Sequence, residues 1–159
     1  MSYKRILVPT DFSTGAEHAA RAAVELAADL GATIELVHLY YPPSLMMPDG
    51  STFGPSPAEL VAVTEGAEAG LARAVRALRE ASNGRVKIDG QALMGPAADG
   101  ILRLADSGHY DLVVMGTHGR TGIRRLVLGS VAERVVRRAS IPVLTVREPH
   151  VDSPSADLR

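Results

Sequence analysis

The stretch MGTHGRTGIRRLVLGSVAERV carries the first chemical signal, in Gly116, Gly119, Gly129 and Ser130. Glycine belongs where a backbone must pass close to another group or adopt positive φ. Ser130 stands where a helix cap is expected, with Glu133 three residues on to complete a capping box. Free amides at that helix start, reinforced by the helix dipole, make a place for phosphate oxygens. Glycines that only turn a corner and a serine that only caps a helix explain each residue separately. They do not explain why all of them cluster. The competing motifs fail, because neither G-x-x-x-x-G-K-[ST] nor G-x-G-x-x-G occurs. Leu-Gly-Ser-Val lacks the second glycine of a nucleophile elbow. Spacing alone does not bring a serine, His118 and Asp11 together as a triad.

These residues need strands and helices to place them. Residues 4–9 (KRILVP) and 33–40 (TIELVHLY) read as buried strands. Between them Ala16, Ala19, Ala20, Ala23, Ala27 and Leu30 mark the inward stripe of a helix, and Gly31 suits a left-handed C-terminal cap. Residues 41–55 hold four prolines and two glycines, so an irregular loop with no element is expected there. Within it Met46 and Met47 suit either a lid or the loop's underside. Ser56, Pro57 and Glu59 then form a strong helix start. That helix buries Leu60, Val63, Ala67, Leu71, Val75 and Leu78 and closes at Asn83-Gly84. A third strand near 85–93, interrupted by Gly90, precedes a short helix opened by Pro96. A strand at 111–116, a helix from 130 to about 139 and a strand at 141–146 complete the pattern.

The alternation demands a parallel sheet with right-handed crossovers, a single-domain, doubly wound α/β fold. Ligands bind such folds outside the carboxyl ends of the strands, where strand order reverses. The first strand runs into Pro9-Thr10-Asp11 and the fourth into Met115-Gly116. If those strands are neighbours, Asp11 and Gly116 share one crevice.

Composition bounds the partners. The chain has 159 residues, 46% of them hydrophobic and 22% charged, which fits one globular domain. A net charge of −1 supplies no general attraction for nucleic acid or an anionic membrane, so any anion site must be local. Arg120, Arg124, Arg125, Arg134, Arg137 and Arg138 read mainly as a solvated face and as cations near a helix C-terminus. Of these, Arg120 alone keeps a ligand role. No cysteine is present, which excludes disulfides and thiolate chemistry. The opening MSYKRILVPTDF reads as neither signal peptide nor membrane span, and a cytoplasmic location is expected. His38, inside an apolar strand, reads as a core histidine. His18, His109 and His150 lack metal-ligand spacing, and Asp11 alone argues for at most an indirect Mg²⁺ contact.

Taken together, G-2x-G-9x-G-[ST] at Gly116, Gly119, Gly129 and Ser130, with ILVPTDFS, LVHLY, MGTHGRTG, LGSVAERVV and IPVLTV, resembles the universal stress protein family. The likeness spans residues 4–147. It implies a domain over 1–147 with a variable loop at 41–55 and a loose tail at 148–159. It also implies a Rossmann-like, adenine nucleotide alpha hydrolase-like sheet in the order 3-2-1-4-5, and places the chain in the ATP-binding branch. There Asp11 meets the ribose, Pro9 and Thr10 shape the wall, and the backbone at Leu39 meets adenine. Met115, Gly116, His118, Gly119, Gly129, Ser130 and Val131 match ribose and phosphate contacts, with Arg120 at a position that is often basic. The family also implies a homodimer through Ile141–Val146 and an unidentified signalling partner. A nucleotide-dependent regulator is therefore expected. A nucleotide-independent dimeric scaffold is the alternative, and a slow ATPase ranks behind both, since no general base stands out beside the phosphates.

Overall fold

A computed structural model describes residues 3–42, 45–46, 52–117 and 128–148. Strand β1 (Arg5–Pro9) leads to helix α1 (Thr14–Leu30), and β2 (Thr33–Tyr40) to the short strands β3 (Leu45–Met46) and β4 (Thr52–Phe53). Helix α2 (Pro57–Ala81), β5 (Ile88–Met94), α3 (Ala97–Ala105), β6 (Leu112–Gly116), α4 (Ser130–Arg138) and β7 (Val143–Val146) follow. The main sheet runs β5-β2-β1-β6-β7 with every neighbour parallel, which is the expected order 3-2-1-4-5. Strand order reverses at β1.

Each central strand feeds two cores because its side chains alternate between faces. Ile6 and Val8 join Ala20, Ala23, Ala27, Leu71 and Val75 beneath α1 and α2, while Leu7 joins Ile101 and Val135 beneath α3 and α4. Ile6, Leu7 and Val8 are fully buried, as a strand covered on both faces requires.

The alanine stripe of α1 is buried as expected through Ala27. Leu30 is not part of it: it is 37% exposed at the helix end, and Val24 takes a buried place instead. Gly31 closes the helix with φ 61, and its N–H donates to the Ala27 carbonyl. At the start of α2 the Ser56 hydroxyl accepts from the Glu59 N–H while the Glu59 carboxylate accepts from the Ser56 N–H, with Pro57 in the first turn. Leu60 and Val63 are only half-buried, so the covered face of α2 begins at Ala67.

Three further expectations need correction. Residues 41–55 are not without elements, since Leu45–Met46 pairs antiparallel with Thr52–Phe53. Of the prolines in this stretch, Pro42 and Pro55 are described, and both lie outside the two-residue ladders. Gly90 does not interrupt the third strand either, but lies inside β5. A Cβ there would stand 2.8 Å from Val75 Cγ2, so the glycine lets α2 approach the sheet. The last strand is shorter than 141–146. Pro142 has no N–H to give, and the ladder begins at Val143.

At the end of the sheet remote from the crevice, the Tyr110 hydroxyl donates to Glu35 Oε2 at 2.8 Å, under the Arg5 guanidinium. Burial, then the bond to Glu35 and its charge, push the Tyr110 phenol up to about 12. The folded state therefore holds this proton more tightly than the unfolded chain. Its stabilising contribution is complete below the ordinary tyrosine value near 10 and is lost as pH rises from there towards 12. Urea unfolding across that window is expected to show a decline that Tyr110→Phe reduces. An identical decline in both proteins would refute the assignment.

Candidate functional site

The site is assembled at the carboxyl ends of β1, β2 and β6. Pro9 ends β1, and Thr10 stays attached to β2 through its N–H, which donates to the Val37 carbonyl at 2.8 Å. The turn beyond is held by its own side chains. Thr10 Oγ1 accepts from the Phe12 N–H at 3.1 Å, and Asp11 Oδ1 accepts from the Ser13 N–H at 3.0 Å and from the Ser13 hydroxyl at 2.5 Å. Ser13 in turn caps α1 by accepting from the Ala16 N–H. Phe12 takes a positive φ of 62, a conformation L-residues adopt at a cost. The strain goes into a turn that presents Asp11.

Asp11 lines an open cleft of about 500 Å³ together with Phe12, His38, Leu39, Tyr40 and Tyr41, closed on the far side by Val63, Gly66 and Ala67 of α2. Its walls are aromatic: the Phe12 and His38 rings lie 4.2 Å apart, and Tyr40 stacks on His38 at 6.3 Å. A cleft with aromatic walls and a carboxylate at its side suits a flat heterocycle carrying a polar group. Asp11 and Leu39 thus line one cleft. Phe12, Tyr40 and Gly66 carry no site signal in the sequence, and Val63 and Ala67 read there only as the buried face of their helix. Which helix covers the cleft is a tertiary matter.

Gly116 ends β6 against α1. A Cβ on it would stand 2.9 Å from the Gly15 carbonyl oxygen and 3.0 Å from its carbon, so close approach is what requires glycine here. Met115, one residue earlier, is buried in the core beneath α3 and α4, leaving its backbone as its contribution to the strand end. Thr117 then donates its N–H to Val146 and accepts from the Gly129 N–H at 2.8 Å. This last bond brings the two halves of the glycine motif together, 12 residues apart in sequence. His118, Gly119 and Arg120 lie outside the described residues.

Ser130 does not cap α4. Gly129 is the N-cap, at φ −60 and ψ 150, and its carbonyl accepts from the Glu133 N–H at 2.8 Å. Ser130 therefore sits inside the first turn, exposed, and Glu133 reaches Arg137 instead of a cap. A glycine N-cap has no side chain to occupy the first amides, so the helix start at Ser130 and Val131 is presented to a ligand. Gly129 has no positive φ. Arg134 pairs with Asp99 at 2.5 Å, in keeping with a surface role. Among the described residues no group of three His, Cys, Asp or Glu is able to hold a metal, and no helix is long and apolar enough to cross a membrane.

Comparison with known proteins places this arrangement. The model of the universal stress protein family matches residues 2–147. Universal stress protein MJ0531 of Methanocaldococcus jannaschii is 36% identical over 154 residues, 92% of this chain and 84% of that protein. Universal stress protein UspA from Lactobacillus plantarum superposes with a TM-score of 0.76 at 23% identity, covering 92% of this chain and 99% of that one. The universal stress protein from Archaeoglobus fulgidus in complex with dAMP gives 0.60 at 26% identity, covering 91% and 98%.

Proposed function

The chain belongs to the universal stress protein family, and from that premise we propose that it binds an adenine nucleotide, ATP foremost, as a homodimeric stress-response regulator of the cytoplasm. The observation that carries the reading is the hydrogen bond from Gly129 to Thr117, which joins the glycine-capped start of α4 to the end of β6. The dAMP complex of the Archaeoglobus relative supports the ligand class.

In this reading the base enters the aromatic cleft and meets the backbone at Leu39. Asp11 takes the ribose hydroxyls, with Pro9 and Thr10 as the wall. The phosphates lie on the amides at Gly116, Gly129, Ser130 and Val131, with Met115, His118, Gly119 and Arg120 completing the contacts. Mg²⁺, where it accompanies ATP, is held through the phosphates near Asp11 and not by a protein ligand set. The direct test is to denature the purified protein and identify what it releases. About one adenine nucleotide per chain supports the reading, whereas a protein that carries none and takes none up contradicts it.

The dimer has its own support. β7 lies at the sheet edge, and Leu144 on it is 43% exposed, an arrangement that invites pairing across Ile141–Val146 with a second copy. Leu144→Lys is expected to halve the mass seen by light scattering while leaving the monomer folded. An unchanged mass would rule out pairing through this strand. The nucleotide-independent scaffold survives if the dimer forms and no nucleotide binds.

A further inference from the structure

His38 is 9% exposed in β2, and a buried imidazole needs partners. Its Nδ1 stands 2.8 Å from the Thr10 carbonyl oxygen. A carbonyl only accepts, so Nδ1 carries a proton and donates. The Thr10 N–H already donates to Val37. Both polar groups of Thr10's main chain are therefore held by β2, through a backbone atom on one side and the His38 ring on the other.

The next residue but one is held by the same ring. Phe12, at φ 62, lays its side chain on His38 at 4.2 Å with a 36° tilt, and its far edge fills the space left by Gly70 of α2, where a Cβ would stand 3.1 Å away. Asp11 lies between these two anchor points. The ring contact with Phe12 alone would leave the buried Nδ1 without a partner. The bond to Thr10 adds a direction, because it fixes the peptide that enters Asp11.

We propose that His38 is the positioning residue for Asp11, a latch that sets the β1–α1 turn so that the carboxylate faces the sugar of a bound ribonucleotide. The inference rests on the reading of Asp11 as the ribose contact. It makes the sugar preference of the site depend on a side chain in a different strand that need not touch the sugar.

The test uses the ratio of affinities for ATP and 2′,3′-dideoxy-ATP. Asparagine carries its amide nitrogen about where Nδ1 lies, whereas glutamine carries its own about where Nε2 lies. The wild type is expected to prefer ATP by about tenfold or more, as for hydrogen bonds to a charged acceptor. His38→Asn should keep that preference, and His38→Gln should bring the ratio towards one, as Asp11→Ala does. A His38→Gln protein that discriminates like the wild type overturns the latch. If the wild type binds no nucleotide, the reading of the site fails, and the latch is judged separately by the nitrogen chemical shifts of the His38 ring. A neutral ring protonated at Nδ1 supports it, and one protonated at Nε2 overturns it, whether or not any variant folds.

Discussion

Gly116→Val is expected to destabilise the protein by about 3 kcal/mol, the upper part of the range for overpacking a core. The obstacle is main chain: the first added carbon meets the Gly15 carbonyl oxygen at 2.9 Å, and no side-chain rotation relieves it. The alternatives are to lift α1 or to shift β6, and both are costly. Ala16, Ala19, Ala20, Ala23 and Ala27 hold α1 against the sheet, and Leu112, Val113, Val114 and Met115 of β6 are buried between β1 and β7. Urea unfolding of the two proteins measures the difference. An unchanged midpoint and slope would mean that the strand end and helix start do not touch as described.

Asp11→Asn is expected to weaken binding of adenine ribonucleotides about 10- to 100-fold, the loss for hydrogen bonds to a charged acceptor. The substitution is chosen because the carboxylate also has a structural task. Oδ1 accepts from the Ser13 N–H at 3.0 Å, and an asparagine oxygen can do the same, so the cap of α1 persists. The charge disappears, and an amide nitrogen that donates takes the place of the second oxygen, facing hydroxyls that would otherwise donate to it. Fluorescence or calorimetric titration with AMP reads the change. Equal affinities for both proteins would remove Asp11 from the sugar contacts.

The sheet is legible because its strands alternate along the chain with helices of a different period. Ile6, Leu7 and Val8 form an uninterrupted apolar run that only a strand covered on both faces explains. Gly31 and the Ser56–Glu59 box announced their helix ends through residue types that few other positions need. What stayed hidden depended on backbone conformation or on distant partners. Gly129 and Ser130 are adjacent and both acceptable as caps, and only the extended ψ of Gly129 decides between them. Gly90 reads as a strand interruption until Val75 of α2 is found above it. The two-residue ladders of β3 and β4 are too short to give a period, so prolines and glycines dominated the reading of that loop. Strand order alone puts Asp11 and Gly116 at the ends of neighbouring strands. Phe12 and the α2 side of the cleft required the third dimension.

Of the arginines between 120 and 138, Arg120, Arg124 and Arg125 lie outside the described residues. Arg134 and Arg137 have acidic partners on the surface, which supports the solvated-face reading.

The account stands most directly on a calorimetric titration of ATP into nucleotide-free wild type and Gly129→Val. Valine adopts φ −60 and ψ 150 without strain, so the helix is expected to form while the new side chain crowds the first amides of α4. Saturable binding of about one ATP per wild-type chain, weakened at least about 100-fold in a folded Gly129→Val, is the predicted result. A folded wild type that takes up no ATP, or a valine variant that binds it equally well, would contradict the assignment of this strand end and helix start to the nucleotide.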